Sequence, residues 1–263
     1  MYWRLAVTSI RAQMQYKASF IMLSGAQFFS TGIEIAGIWA LFTRFGRLEY
    51  WNVAEVCFFY GTVNVAFSIA DALATGFDQF GNLYVKTGNF DRLLLRPRSV
   101  LLQLMGHELA LRRIGRFLQG LAVLGWAAHT LGLHMDLWRV MLFVVTIAGS
   151  VCFFMGLFIM GATICFWSTE SLELMNTLTY GGVQSAQYPF SIYEAWFRKF
   201  FTFVVPLACI SYFPVVAILG VDDPLGTSRV FQVMAPGTGL LFLWLMVVIF
   251  KWAGVRHYTS TGS

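Results

Sequence analysis

Charge is what this sequence has least of: Asp, Glu, Lys and Arg make up 12% of its 263 residues, about half of the ~25% usual in a soluble globular domain. With 58% hydrophobic residues, 17% aromatics and a mean hydropathy of +0.67, the chain cannot clothe a water-facing surface. An ordinary soluble domain is excluded, and a polytopic membrane protein is expected. Paired cysteines are also missing. Cys57, Cys152, Cys165 and Cys209 lie in apolar runs without ligand or disulfide spacing and read as small buried hydrophobes. Histidine is as sparse: His107-Glu108 has no second histidine four residues on, and His129 and His134 have no companion ligands, so no metal or catalytic constellation is expected. No phosphate-binding loop occurs either, since Val85 fills the position before Lys86-Thr87 where glycine is required. The start Met1-Tyr2-Trp3-Arg4 lacks the pattern of a cleaved signal, so the first apolar run is expected to stay in the membrane.

What is present is a series of long apolar runs. The length supplies about six spans of ~20 residues with short connections, and one domain over residues 1–263 is the economical reading. The expected fold class is an all-α polytopic membrane protein. Residues 1–17 place Trp3, Val7, Ile10 and Met14 opposite Arg4, Arg11 and Lys17, the pattern of an interfacial amphipathic elbow helix. Spans are expected at 18–42, 53–75, 114–133, 138–167 and 237–255. Residues 168–236 contain Pro189, Pro206 and Pro214 in apolar sequence and admit two readings. Either a fifth span at 172–188 is followed by a re-entrant hairpin at 193–220, or the fifth span itself lies at 200–220. Both return the chain to the same side.

Basic residues set the orientation. With the amino terminus inside, twelve of the eighteen Lys and Arg lie on the cytoplasmic face, among them Lys86, Arg92, Arg96, Arg98, Arg112, Arg113, Arg116, Lys251 and Arg256. Both termini are then cytoplasmic, and the net charge of +5 reflects topology, so no nucleic-acid partner is inferred. The second span is expected to end near Gly76, leaving a cytoplasmic connection whose segment 76–100 is the most informative in the chain. Phe77, Phe80, Leu83 and Tyr84 recur at helical spacing, a face suited to a groove on a cytosolic partner or, more simply, to the bilayer surface. Gly88 can end that helix in a left-handed conformation, and Arg96-Pro97 forces an extended exit.

Three separated segments, GNFDRLLLRP at 88–97, YPFSIYEAWFRKFFTFVVPLACISYFPV at 188–215 and WAGVRHYTSTG at 252–262, together resemble the ABC-type exporter permeases of the six-helix, type-2 class. The resemblance spans essentially the whole chain. It implies six transmembrane helices, an elbow helix, a cytoplasmic coupling helix and a re-entrant hairpin before the last span. It also implies a pair of permease chains, identical or paralogous, with two cytosolic ATPase subunits that bind ATP and Mg, in a bacterial inner membrane. On that likeness Phe77, Phe80, Leu83, Tyr84, Gly88, Asp91, Arg92, Arg96 and Pro97 would contact the ATPase. For the substrate pathway, acids at membrane depth are the candidates: Glu34 and Asp71, with Glu55 nearer the outer end and Trp39 and Phe67 available for cation–π contact. Such a path would suit cationic amphiphiles, in keeping with the family's links to export of toxic cations. The competing class is a proton-coupled carrier using Glu34 or Asp71, against which stands the absence of an inverted repeat. A membrane-embedded enzyme would need convergent acid, base or nucleophilic groups, and none is seen.

Overall fold

The computed structural model describes residues 15, 17–106, 110, 113–168 and 171–258, and within 171–176 the side chain of Met175 alone. The elbow expected at 1–17 therefore lies outside the described residues except for Gln15 and Lys17. The described chain is helical, without a strand, and its one isolated bridge joins Leu48 to Trp51.

Helix α1 spans Lys17–Phe45, with no proline to interrupt it. It stops at Gly46, whose φ of +75° turns the chain. Helix α2 begins at Val53 under a capping box: the Asn52 side chain accepts from the Glu55 amide at 2.9 Å, and the Glu55 carboxylate accepts from the Asn52 amide at 2.8 Å. Such a cap contributes about 1 kcal/mol. The first stretch of α2, Val53–Asp78, continues through a π turn at Gly81–Val85, so one helix runs 33 residues from Val53 to Val85. The expected end near Gly76 is corrected. That glycine admits close packing, since a Cβ there would meet the Leu104 carbonyl oxygen at 2.2 Å. The chain turns instead at Gly88, with φ +68°, where left-handed backbone was expected.

Short helices α3 (Phe90–Leu94) and α4 (Val100–Met105) lead to α5 (Ile114–Thr130) and α6 (Leu137–Ile164). Helix α7 covers Ser171–Ala186. There follow α8 (Ala195–Lys199), extended by a π turn to Val204, then α9 (Leu207–Ile210) and α10 (Tyr212–Leu219). Pro206 breaks this region, and its two halves, Ala195–Val204 and Leu207–Leu219, are bent by 75°. Helix α11 (Arg229–Met234) precedes α12 (Gly237–Ile249), which continues by a π turn to His257.

Among the described residues, four helices are long and apolar enough to cross a membrane: α1, α2 with its tail, α6 and α12 with its tail. Helix α5 has 17 residues and α7 has 16, a little short of the ~20 that cross a bilayer at 1.5 Å per residue. Cross-contacts fix their directions. Gly61 lies against Leu124 and Gly120 against Asn64, so α2 and α5 run oppositely. Phe58 meets Phe143 and Phe67 meets Phe154 and Phe158, so α2 and α6 run the same way. Phe153 contacts Phe242 and Phe166 contacts Phe250, so α12 is parallel to both. Helix α1 follows α5, through Ser24 at Gly115 and Trp39 at Trp126.

Without a hydrophobic drive between helices in lipid, close backbone contact carries much of the packing. At α6–α12 it is tightest: a Cβ on Gly239 would lie 2.0 Å from the Gly149 carbonyl oxygen. At the α2 amino end, Trp51 donates from Nε1 to Ser191 Oγ at 2.8 Å, and its ring meets Phe59 and Tyr212. The Tyr212 hydroxyl donates to Asp223 Oδ1 at 2.7 Å, and the same carboxylate accepts from the Leu225 amide at 3.0 Å, the Thr227 amide at 3.1 Å and the Thr227 hydroxyl. Burial raises the Asp223 carboxyl, but these hydrogen bonds outweigh it and hold its pKa below the usual aspartate value.

Gly239→Ala is expected to lower the thermal midpoint in detergent, at a cost of about 1–3 kcal/mol from overpacking. Gly237→Ala, whose Cβ meets nothing within 4 Å, leaves it unchanged. Because Asp223 has a depressed pKa when folded, its contribution is complete above the ordinary aspartate pKa of about 3.9 and is lost as pH falls below that value. Acid should therefore loosen the 221–228 loop in the wild type, read as faster proteolysis at that loop. Asp223→Asn should start loose at neutral pH and show a smaller acid response.

Candidate functional site: a buried, charge-balanced seam

Helix α2 carries Tyr60, Asn64, Ser68 and Asp71 at spacings of four, four and three, so one stripe of an otherwise apolar helix is polar. Each of the four is buried. Helix α5 and the residue before it supply Arg113, Arg116 and Gln119 at three-residue spacing, running in the opposite direction. The two stripes meet. Arg116 Nε donates to Asn64 Oδ1 at 2.6 Å, and its guanidinium lies 4.8 Å from the Phe67 ring centroid. Arg113 Nε approaches Asp71 Oδ2 at 2.8 Å, an ion pair whose alignment is not that of a hydrogen bond. Asn64 Nδ2 donates to the Tyr60 carbonyl at 2.9 Å.

Helix α1 joins through Glu34. The Tyr60 hydroxyl lies 3.1 Å from Glu34 Oε2 and 3.2 Å from the Thr31 carbonyl oxygen, so one proton is shared between two acceptors. Arg116 is within electrostatic reach of Glu34, Asp71 and Arg113. From α7, Tyr180 stands edge-on to Phe67 at 5.6 Å and feels both Asp71 and Arg113. Gln119 is 3% exposed and lies beside the Tyr60 side chain. Glu34 and Asp71 thus face Arg113 and Arg116, and the seam is balanced in formal charge. A buried pair of this kind tolerates loss of both members better than loss of one.

The other residues expected on the pathway fall elsewhere. Glu55 belongs to the α2 cap. Trp39 is 54% exposed on α1, beside Trp126 at 6.2 Å between ring centroids. Phe67 is buried in the seam. Arg113 and Arg116, counted from sequence among the basic residues of one face, turn inward. The signal that could have found the seam is the polar stripe on α2.

At the far end of α2 the aromatic residues expected to meet a partner also turn inward. Phe77, Phe80 and Tyr84 are buried. Phe80 is surrounded by Tyr84 at 5.8 Å, Phe90 at 5.3 Å, Phe166 at 5.1 Å and Phe250 at 5.9 Å between ring centroids. Their side chains anchor the segment to α6 and α12, and the outward direction expected for them is corrected: helical spacing defines an apolar face without saying what covers it. Exposed on the same segment are, among others, Leu83, Lys86, Arg92, Leu94, Leu95, Arg96, Pro97 and Arg98, with Leu95 at 84%. Asp91 is partly buried, and Gly88 supplies the turn.

Apolar helices of membrane-crossing length, packed about a charged seam, define a multi-pass membrane protein. The model of the ABC-2 family transporter proteins matches residues 28–262, and the chain belongs to that family. It is therefore a membrane permease component of an ABC transporter, a family that is generally not catalytic and works with an ATPase. Comparison with curated proteins and with solved structures gave no match.

Asp71→Asn should destabilise the detergent-solubilised protein by about 3 kcal/mol by leaving Arg113 facing a neutral partner. Adding Arg113→Gln should restore much of the thermal midpoint. Additive losses in the double variant would show that the pair is not coupled.

Proposed function

We propose that the chain crosses the membrane six times and forms, with a second permease chain, the substrate path of an ATP-driven exporter in a bacterial cytoplasmic membrane. What carries this reading is the alternation of helix directions: α1 and α5 run one way, α2, α6 and α12 the other. Met175 of α7 lies beside Gly161 and Tyr180 beside Phe67, so α7 runs against α6. Six crossings in the order α1, α2, α5, α6, α7, α12 satisfy every one of these directions. The bent α8–α10 region then enters the membrane and returns, its broken backbone covered by neighbouring helices.

In this arrangement the end holding Lys86, Arg92, Arg96, Arg98, Lys251 and Arg256 is cytoplasmic, in keeping with the positive-inside rule, as are both termini. Two ATPase subunits, which bind ATP and Mg, dock on the exposed side of the α2 tail and the following turn: Leu83, Leu94 and Leu95 among Arg92, Arg96 and Arg98. Phe80 and its aromatic neighbours carry the movement inward, being packed at once on α2, α6 and α12. The seam then acts as a polar contact between α1, α2, α5 and α7 that can re-form in a second arrangement. Glu34 and Asp71 are poorly suited to attract cations unaided, because arginines already offset both. The same pairing weakens the proton-carrier reading.

The deciding experiment is co-expression with a candidate ATPase, affinity purification in mild detergent and assay of ATP hydrolysis. Recovery of an active complex supports the proposal; a lone, inactive chain under conditions that preserve such complexes would overturn it. Within that assay Leu95→Glu should abolish ATPase recovery while leaving insertion and thermal midpoint intact, whereas Phe80→Glu should lower the midpoint itself. Undiminished recovery of the ATPase with Leu95→Glu would remove this surface from the contact.

A further inference from the structure

The π turn at Phe250–Gly254 fixes which side of the α12 tail is hidden. Phe250 is buried in the aromatic cluster, and Gly254 sits so close to the Phe166 ring that a Cβ would approach it at 2.8 Å. With those two residues held inside, Lys251, Trp252, Arg256 and His257 are held outside, all exposed. The Arg256 guanidinium lies 4.1 Å from the Trp252 ring centroid, and His257 lies 5.1 Å from the Trp167 ring centroid. Trp252 is 63% exposed and Trp167 52%. Among the described residues none of Lys251, Arg256 or His257 pairs with a carboxylate. Above this platform α12 presents Leu241, Trp244, Leu245 and Ile249, also exposed, in a stripe that leads down to Trp252.

We propose that this platform binds the headgroup of an anionic phospholipid, whose acyl chains lie along the α12 stripe. Stacking on Trp252 covers one face of the guanidinium and leaves its edge N–H groups free to reach phosphate oxygens. Lys251 adds positive potential, His257 offers a further ring N–H donor, and the two tryptophans sit at headgroup level, where amphipathic rings partition. The continuous apolar stripe selects a lipid over a soluble acidic partner. A protein surface would match the cations but would leave Leu241, Trp244 and Leu245 uncovered. The inference rests on α12 crossing the membrane and is independent of the ATPase, the transported compound and the number of permease chains.

The test uses the full chain in detergent, with lipid binding read by native mass spectrometry and by thermal shift. Dioleoyl phosphatidylglycerol is compared with dioleoyl phosphatidylcholine. Phosphatidylglycerol should be retained preferentially, and Arg256→Gln should weaken that preference about fivefold, the scale of one basic residue at an anionic surface. Trp252→Ala should weaken it through the lost stack, and Arg256→Lys should restore it only in part. The thermal midpoint in phosphatidylcholine controls for folding and should be unchanged in all three. Equal retention of the two lipids by the wild type would overturn the proposal, as would wild-type preference in Arg256→Gln and Trp252→Ala. Recovery of the ATPase is scored separately, so loss of lipid preference with an intact complex, or the reverse, distinguishes this inference from the exporter reading.

Discussion

Phe80 is the point on which one end of this molecule depends. Its ring touches four others, drawn from its own helix, the start of α3, the residues just after α6 and the tail of α12. Each such pair contributes about 0.5–1.5 kcal/mol beyond its burial, so three separated stretches of chain are held to one aromatic centre. This contact keeps α2 helical past Gly76, although a glycine in mid-helix usually costs about 1 kcal/mol relative to alanine. It also decides what this segment shows to the outside: with the rings inside, the basic and aliphatic outer edge is what remains exposed.

The seam in the middle of the bundle works by a different constraint. Charged side chains at membrane depth are expensive unless paired, and here the pairing joins helices far apart in sequence. Arg116 meets Asn64 across 52 positions, and Tyr60 meets Glu34 across 26. Lipid supplies no alternative partners for these groups, so breaking one contact requires another to form. Polar contacts of this kind suit a protein with two stable arrangements better than a uniformly apolar interface would. Gln119, buried beside Tyr60, is placed to exchange partners within such a seam.

Much of the architecture was legible because lipid restricts the solutions so severely. The runs beginning at Lys17, Val53, Leu137 and Gly237 are apolar for long enough that only a helix satisfies their backbones. The helix at Ser171–Ala186 and the bent pair over Ala195–Leu219 occupy the stretches that the two sequence readings name, 172–188 and 193–220 or 200–220. Direction was harder. Phe77, Phe80 and Tyr84 share a helical face, but whether that face meets a partner or another part of the chain depends on Phe166 and Phe250, about 80 and 170 residues away. Counting basic residues treats Arg113 and Arg116 as headgroup contacts, because a count carries no direction. Their inward turn depends on Asn64 and Asp71 being on the facing helix, and a stripe of four polar residues on α2 was the visible sign.

The unequal burial of the first two long helices has a consequence for biogenesis. Only 11% of the apolar stretch of α1 is buried, against 83% for α2. The helix α1 does lean on is α5, through Gly115 against Ser24 and Phe28. Roughly 90 residues separate those contacts, and at about 5–20 residues per second the ribosome needs several seconds to bridge them. During that interval α1 is already made and its main partner is not. It must survive as a solitary helix in lipid, carrying Glu34 before Tyr60 or Arg116 can reach it. The first helix is therefore built for patience: little of it relies on neighbours, and Glu34 is the one group in its middle that waits for them.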